Sequence, residues 1–203
     1  MRRLVIATTL TICLVLASQA QAAPRAFYGL IPANDPTSTE IDRMGAGKVG
    51  TMRINFVWGA VQPTEGSAFD WSHYDAIIGE AARQGIHVLP TVYSSPSWAA
   101  ARPNYPPSKA HFGEFRAFAR EAAARYGSNG SFWAANPAIP KVPVINWQFW
   151  NEVNSPNFWY PKPSPKQYVG LLRVFSAGIR SGDPSAKIIL SGLFRTPRFL
   201  HGI

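Results

Sequence analysis

Short apolar segments alternate along the chain with longer segments of helical period. The apolar segments lie at 26–30, 51–57, 86–92, 144–150 and 187–193, and each has the length of a single β-strand. Helices are predicted between them at 39–44, 73–84 and 109–126, and a further helix starts at Ser164-Pro165. Strands and helices that alternate at this spacing predict βα units and a parallel sheet.

The longer helical segments each have one apolar face. Their apolar residues recur three and four positions apart, as in Tyr74, Ile77, Ile78, Ala81 and Ala82; in Phe112, Phe115, Ala119, Ala122 and Tyr126; and in Tyr168, Leu171, Leu172, Phe175 and Ile179. Ser72 and Ser108 are predicted to cap the first two of these helices, and Ser164 the third. The apolar faces are expected to pack against the sheet.

Two of the predicted strands are apolar on one face only. Met52, Ile54 and Phe56 alternate with Thr51, Arg53 and Asn55, and Ile145, Trp147 and Phe149 alternate with Asn146, Gln148 and Trp150. Central strands of a doubly wound open sheet are covered by helices on both faces, so they should be apolar throughout. A (β/α)8 TIM barrel fits better, because its apolar residues point out to the helices and its polar residues point into the barrel mouth. The predicted fold class is this α/β barrel, with the open sheet as the alternative.

The number of βα units is smaller than a whole barrel needs. About five units occupy residues 23–203, whereas a complete barrel takes about 250 residues or more. We therefore expect residues 23–203 to be the N-terminal part of a larger barrel domain.

The first 22 residues have the pattern of a secretory signal peptide. Arg2 and Arg3 precede an apolar core over 4–17, and Ala20-Gln21-Ala22 places small residues at the cleavage positions. The apolar core is shorter than the ~20 residues of a membrane-spanning helix, so no stable membrane association is expected after cleavage; an uncleaved anchor is the alternative. The protein is predicted to be secreted or extracytoplasmic, and its single cysteine, Cys13, leaves with the signal.

Composition and charge narrow the range of functions. The chain has 46% hydrophobic and 13% aromatic residues, a composition that excludes a disordered tail, and its formal charge is +9. Its Lys and Arg residues do not form a stripe, so a nucleic-acid groove is not predicted. The histidines at 73, 87 and 111 lack the spacing of metal ligands, and no phosphate-binding glycine loop follows a strand. No cofactor and no metal are predicted.

The densest candidate chemistry follows the fourth predicted strand, where an acidic residue and an amide come directly after apolar residues. The segment reads Trp147-Gln148-Phe149-Trp150-Asn151-Glu152, and Trp159 follows shortly after. Strand alternation places Glu152 on the same side as Gln148, toward the barrel mouth. A carboxyl group walled by tryptophan rings is desolvated and its pKa is expected to rise, which suits a general acid near neutral pH. A structural role, in which Glu152 caps the following loop, is the alternative.

This segment resembles the acid/base motif of clan A glycoside hydrolases, which include cellulases, mannanases and β-xylosidases. Three other stretches agree with the resemblance: Met52-Arg53-Ile54, Asp70-Trp71 and Ser95-Pro96-Ser97-Trp98. The run from Trp147 to Trp159 is most similar to the β-xylosidase-like family 39, and cellulase-like family 5 is nearly as good a match. The resemblance covers residues 27–195.

Membership of this clan would give three residues a role. It implies that Glu152 is the general acid/base, that Asn151 bonds the sugar 2-hydroxyl, and that Arg53 supports the nucleophilic carboxylate. An ion pair of Arg53 with some other barrel carboxylate is the alternative. A retaining enzyme needs a second carboxylate about 5–5.5 Å from the first. The family carries it on the seventh strand, so the resemblance implies that the nucleophile lies outside these 203 residues.

Four aromatic residues after predicted strand ends are candidates for contact with a sugar ring: Trp58, Tyr93, Trp98 and Trp159. A flat ring stacks on a pyranose, but aromatic rings also serve as ordinary core packing. Their predicted partner is a carbohydrate substrate.

The resulting hypothesis is an exported glycoside hydrolase that cleaves O-glycosidic bonds in poly- or oligosaccharides, with retention of configuration. The fragment alone is expected to be inactive, because the second carboxylate is missing. Two alternatives stay open: an inactive carbohydrate-binding relic of such an enzyme, and an exported solute-binding protein.

Overall fold

Strands and helices alternate along residues 23–203, the part of the chain that the computed structural model describes; the predicted signal peptide at 1–22 lies outside the described residues. The strands are β1 Gly29–Leu30, β2 Thr51–Val57, β3 His87–Tyr93, β4 Asn146–Phe149 and β5 Lys187–Ile189. The α-helices are α1 Ser38–Ala46, α2 Trp58–Val61, α3 Ser72–Arg83, α4 Phe112–Tyr126, α5 Ser131–Ala135 and α6 Pro165–Gly182. Short 3₁₀ helices lie at Arg25–Phe27, Lys109–His111 and Pro197–Gly202.

The five strands form one parallel sheet in the order β1-β2-β3-β4-β5. Parallel crossovers are right-handed, so a strand order that follows the sequence places all the connecting helices on one face of the sheet. A doubly wound open sheet instead reverses its strand order at a switch point. The observed order is that of part of a (β/α)8 barrel, and it confirms the predicted fold class.

The two faces of the sheet differ as the alternation predicted. On β2, Met52, Ile54 and Phe56 are buried toward the helices. Arg53 and Asn55 alternate with them and face the concave side, where Arg53 is half-buried and Asn55 is exposed. The strand register pairs Asn55 with Thr91 and Thr91 with Gln148, so these polar residues lie in one row across the concave face.

The helix-facing side is an aromatic core. Phe56 stacks on Tyr74 of α3 with the ring centres 4.1 Å apart, and its ring meets Trp147 edge-on at 5.7 Å. The predicted apolar faces of the long helices are nearly all buried in this core, the half-buried Phe112 and Leu172 being the exceptions. The sheet and the helix layer are therefore held together chiefly by burial of large rings.

A polar cluster links α3 to α4 behind this core. The Arg125 guanidinium donates to both carboxylate oxygens of Asp75, at 2.8 and 2.5 Å, and the Tyr126 hydroxyl donates to the same carboxylate at 2.8 Å. Burial, followed by the hydrogen bond to Asp75, raises the pKa of Tyr126, so its hydroxyl stays protonated and remains a donor. One carboxylate therefore accepts hydrogen bonds from both the half-buried Arg125 and the buried Tyr126.

Several element ends differ from the predictions. Ser72 is the first residue of α3 rather than its cap, and its backbone N–H donates to the Asp70 carboxylate at 2.9 Å. Ser108 leads into a 3₁₀ turn without capping it, and α4 begins only at Phe112. Ser164 caps α6 as predicted, accepting from the Gln167 N–H at 3.3 Å.

The strands are shorter than their apolar segments. The fourth apolar segment runs from 144 to 150, but β4 ends at Phe149 because Trp150 has a left-handed backbone, with φ +66°. The fifth segment runs to 193, but only Lys187–Ile189 pair with β4. Among the described residues, no strand pairs with the outer edge of β1 or β5.

Helices α4 and α6 approach each other at two glycines. A Cβ added to Gly178 would lie 2.6 Å from the Arg116 carbonyl oxygen, and one added to Gly182 would meet the backbone of α4 even more closely. A side chain at either position would push α6 away from α4. The two glycines are thus required by the close packing of these helices.

We predict that Gly178→Ala destabilises the protein by about 1–3 kcal/mol, because the added methyl group cannot fit between the helices. Gly170→Ala on the same helix is the matched control, since no atom lies within 4 Å of the position of its added Cβ. Alanine should stabilise the helix there by about 0.5–1 kcal/mol. Urea unfolding followed by circular dichroism measures both changes, and equal effects of the two substitutions would contradict the close approach.

Candidate active site

The polar residues of the concave face meet near the C-terminal ends of β2, β3 and β4. Arg53 points from β2 across the neighbouring strand, and its Nε donates to Oε1 of Gln148 on β4 at 2.7 Å. Its Nη2 donates to Oδ1 of Asn151, just after β4, at 3.1 Å. One arginine therefore connects a central strand to the turn that carries the Asn-Glu motif.

The Arg53 guanidinium is partly shielded from solvent. Burial lowers the pKa of Arg53, and its interactions with Tyr93 and Glu152 oppose that shift. An arginine stays protonated under these conditions because its ordinary pKa lies far above neutral pH. Glu152 is half-buried and near enough to act on this cation. The structure thus brings Arg53, Asn151 and Glu152 together at one end of the sheet.

Gln148 organises this end of the sheet, a role that its place on the polar face of the predicted strand did not reveal. Its Oε1 accepts from the Thr91 hydroxyl at 3.0 Å as well as from Arg53, and its Nε2 donates to the Leu190 carbonyl at 3.1 Å. These bonds join β2, β3, β4 and the residue after β5. The available signal was an amide in the middle of an apolar strand, where a buried side chain must find partners.

The turns after β3 and β4 have unusual backbone conformations. Ser94 has φ +71°, Trp150 has φ +66° and Glu152 has φ +40°. Residues other than glycine adopt this region rarely, and such residues are found preferentially at functional sites. Because β4 ends at Phe149, strand alternation does not orient Glu152. Its position comes from the left-handed residues of the turn.

Asn154 ties the loop after β4 to the loop after β5. Its Nδ2 donates to the Phe194 carbonyl at 2.7 Å, and its Oδ1 accepts from the Phe194 N–H at 2.7 Å. The same Nδ2 lies 3.3 Å from the Thr196 carbonyl. An amide that pairs with backbone in both directions holds the two loops side by side, with Glu152 two residues away.

Two of the four aromatic candidates are core residues, which corrects the prediction that they contact sugar. Trp58 is 0% exposed and its indole N–H donates to Gln62 at 3.0 Å. Trp159 is 1% exposed and its indole N–H donates to Gln167 at 3.1 Å. Neither ring has an exposed face on which a sugar could stack, although Trp159 borders the cavity at the start of α6.

Trp147 and Trp150 are likewise fully buried. Their indole N–H groups donate to the carbonyl oxygens of Val144 and Phe158, at 3.2 and 2.9 Å. Together with Trp159 they pack against core aromatics rather than form the wall of an open cleft. The predicted walling of Glu152 by tryptophan rings stays a prediction, and the charged side chain beside Glu152 is Arg53.

Tyr93 and Trp98 are only half-buried. Tyr93 ends β3 on the concave side, with its ring edge-on to Phe158 at 5.8 Å, and burial raises the pKa of its hydroxyl. Trp98 donates from its indole N–H to the Gln62 carbonyl at 3.2 Å, which holds its ring between the loops after β2 and β3. These two rings keep exposed surface at the strand ends.

The fold matches part of several known TIM-barrel glycoside hydrolases. A family 39 glycoside hydrolase from Bacteroides cellulosilyticus WH2 superposes with a TM-score of 0.59 at 17% sequence identity, over 82% of this chain and 32% of that one. The exo-β-1,4-mannosidase Op5Man5 from Opitutaceae bacterium strain TAV5 gives 0.61 at 17% identity, over 82% and 31%. The endoglucanase Cel5A from Thermotoga maritima gives 0.57 at 15% identity, over 82% and 52%.

These likenesses confirm the fold: five βα units of a TIM barrel, as in clan A glycoside hydrolases. The chain spans about a third to a half of the length of these proteins. The Thermotoga maritima endoglucanase also matches in its structures with mannotriose and with cellobiose. No family model matches the sequence, and no curated protein matches it.

Within residues 23–203, no group of three or more His, Cys, Asp or Glu residues is placed to hold a metal ion. None of the helices in that part of the chain combines the length and the apolar character that crossing a bilayer requires.

We predict that Gln148→Met destabilises the protein by about 1–3 kcal/mol, because it removes the acceptor of the Arg53 Nε–H and the Thr91 hydroxyl and the donor to the Leu190 carbonyl. Asn55→Leu removes an amide from the same concave face, but Asn55 is exposed, and this control should change stability by no more than about 0.5 kcal/mol. Chemical denaturation of both variants is the measurement. A Gln148 variant as stable as the control would show that the network contributes nothing.

Proposed function

We propose that this chain supplies the acid/base half of the active site of an exported glycoside hydrolase. The enzyme cleaves O-glycosidic bonds in poly- or oligosaccharides with retention of configuration, and Glu152 is its general acid/base. The proposal joins the fold, which is that of clan A glycoside hydrolases, to the resemblance of the Trp-Asn-Glu segment. Its nucleophilic carboxylate is expected beyond residue 203, as the resemblance implies.

The observation that carries the proposal is the pairing of Arg53 with Asn151 beside Glu152. Since Arg53 donates to Oδ1 of Asn151, the amide is oriented with its Nδ2 free to donate elsewhere, and in residues 23–203 that atom has no hydrogen-bond partner. A sugar 2-hydroxyl is the acceptor that the proposal assigns to it, in a contact that strengthens in the transition state.

Glu152 would transfer its proton to the glycosidic oxygen as the bond to the leaving group breaks. The nucleophile would form a glycosyl-enzyme intermediate, and Glu152, now ionised, would take a proton from the water that hydrolyses it. Arg53 would stay protonated throughout this cycle and would act as a fixed cation beside the reacting charges.

We predict that Glu152→Gln lowers kcat on natural oligosaccharides by about 10²–10⁴-fold, the usual contribution of a general acid. Aryl glycosides with acidic phenol leaving groups need little protonation, so the first step on them should lose much less. Glu65→Gln is the matched control, since Glu65 is an exposed carboxylate in the loop after β2. Steady-state and burst kinetics should use the protein expressed from its natural coding sequence.

Equal losses on both substrate types would count against the acid role of Glu152. Sugar binding without any hydrolysis by the unaltered protein would instead favour the carbohydrate-binding relic. A solute-binding protein of the open-sheet type lacks support, because the strand order follows the sequence without a switch point.

We propose further that the protein leaves the cytoplasm by way of residues 1–22. The signal is expected to be cleaved after Ala22, so N-terminal sequencing of the exported protein should begin at Ala23. Replacing Ala20 and Ala22 by aspartate should block cleavage and leave a larger precursor on a gel. A mature protein that still starts at Met1 would contradict this proposal.

A further inference from the structure

Acidic and basic residues are segregated among the loops that follow the strands, at the end of the sheet that carries Glu152. The loops after β1 and β2, at 31–37 and 58–71, contain the carboxylates Asp35, Glu65 and Asp70 and no lysine or arginine. The segments after β3, β4 and β5, at 94–111, 150–167 and 190–203, contain Arg102, Lys109, Lys162, Lys166, Arg195 and Arg198. Glu152 is their one carboxylate. A ligand bound over these segments would meet mostly positive charge.

A cavity of about 620 Å³ opens among these cationic segments, between the loop after β3 and the start of α6. This volume lies within the range of small-molecule binding sites, about 300–1,000 Å³. Tyr105, Tyr160 and Pro106 provide apolar walls, and Lys109 and Lys166 stand among its polar lining residues. No acidic residue lines it. It lies outside the Arg53–Glu152 cluster.

The aromatic wall consists of two stacked tyrosines from different loops. The Tyr105 and Tyr160 rings are nearly parallel, at 11°, with centres 5.1 Å apart. The Arg102 guanidinium lies 5.8 Å from the centre of the Tyr105 ring. Tyr160 is 54% exposed, so part of its ring is accessible to a ligand. An exposed, supported aromatic ring is a suitable platform for the apolar face of a sugar.

The loop that carries Tyr105 is held by its own hydrogen bonds. The Ser95 N–H donates to the Pro103 carbonyl at 2.7 Å, and the Ser95 hydroxyl donates to the Tyr105 carbonyl at 2.8 Å. The Ser108 N–H closes the loop on the Ala99 carbonyl at 2.9 Å. A cavity wall fixed in this way loses little conformational freedom when a ligand binds.

We propose that this cavity binds an anionic sugar unit of the polysaccharide chain whose bond is cleaved at Glu152. Tyr160 stacks on the sugar ring, and Lys109 and Lys166 pair with its carboxylate or sulfate group. The link to cleavage rests on the proposed function, but the binding itself does not. A neutral glycan would leave both lysine charges without a partner and would gain nothing from the surrounding cations.

The test measures binding of three oligosaccharides of equal length to the Glu152→Gln variant, which does not consume them: a uronate oligomer, a sulfated oligomer and a neutral oligomer. Calorimetry at low salt should show at least one anionic oligomer binding about tenfold more tightly than the neutral one, as expected from two exposed ion pairs. The preference should shrink at about 0.5 M salt, where such pairs are screened.

The double variant Lys109→Gln/Lys166→Gln should lose this preference. Lys141→Gln/Lys187→Gln removes two charges at the opposite ends of the strands and should keep it, which separates a local site from net charge. Tyr160→Ala should weaken binding of the anionic oligomer, whereas Tyr160→Phe should preserve it because the ring remains. Which anionic oligomer is preferred identifies the charged group.

Equal affinity for anionic and neutral oligomers would overturn the proposal, and so would a preference that survives in the Lys109/Lys166 double variant. Failure of the proposed function has a different signature. In that case the anionic preference and its loss in the double variant would both be seen, while the unaltered protein would hydrolyse none of the oligomers.

Discussion

The site depends on a cation that is held on the concave face of a sheet. Arg53 is half-buried there, and a charge taken partly out of water must be matched by acceptors. It finds them in the amide oxygens of Gln148 and Asn151. Both amides belong to β4 or to the turn after it. The same two bonds therefore stabilise the sheet and place the residue that precedes Glu152.

The order of elements and the faces of the helices were predictable, because each rests on a pattern that many residues repeat. Met52, Ile54 and Phe56 all report the same face of β2, and one misleading residue among them would not have changed the interpretation. The ends of the elements depend on single residues. Trp150 would extend β4 by its β-forming tendency, yet its left-handed backbone ends the strand. Nothing in the local pattern indicates this conformation.

The polar residues that meet at the site could be picked out from their residue types. The orientation of the aromatic side chains could not be predicted. An arginine in a strand and an Asn-Glu pair after another strand are rare enough to be noticed. Trp58 and Trp159 also follow strands, but the two-residue period stops where the strand stops, and the sequence no longer tells which way a ring points. Gly178 was missed for a related reason. A glycine in a helix shows no apolar signal, although here it marks a close contact between α4 and α6.

The amide bridge of Asn154 has a mechanical consequence. Phe194 and its neighbours cannot move away from β4 without displacing Asn154 or breaking its hydrogen bonds. Only one residue separates Asn154 from Glu152. A ligand that displaces the loop after β5 would thereby also displace Glu152, the proposed proton donor. Contact with the loop after β5 and the position of the Glu152 carboxyl would then vary together rather than separately.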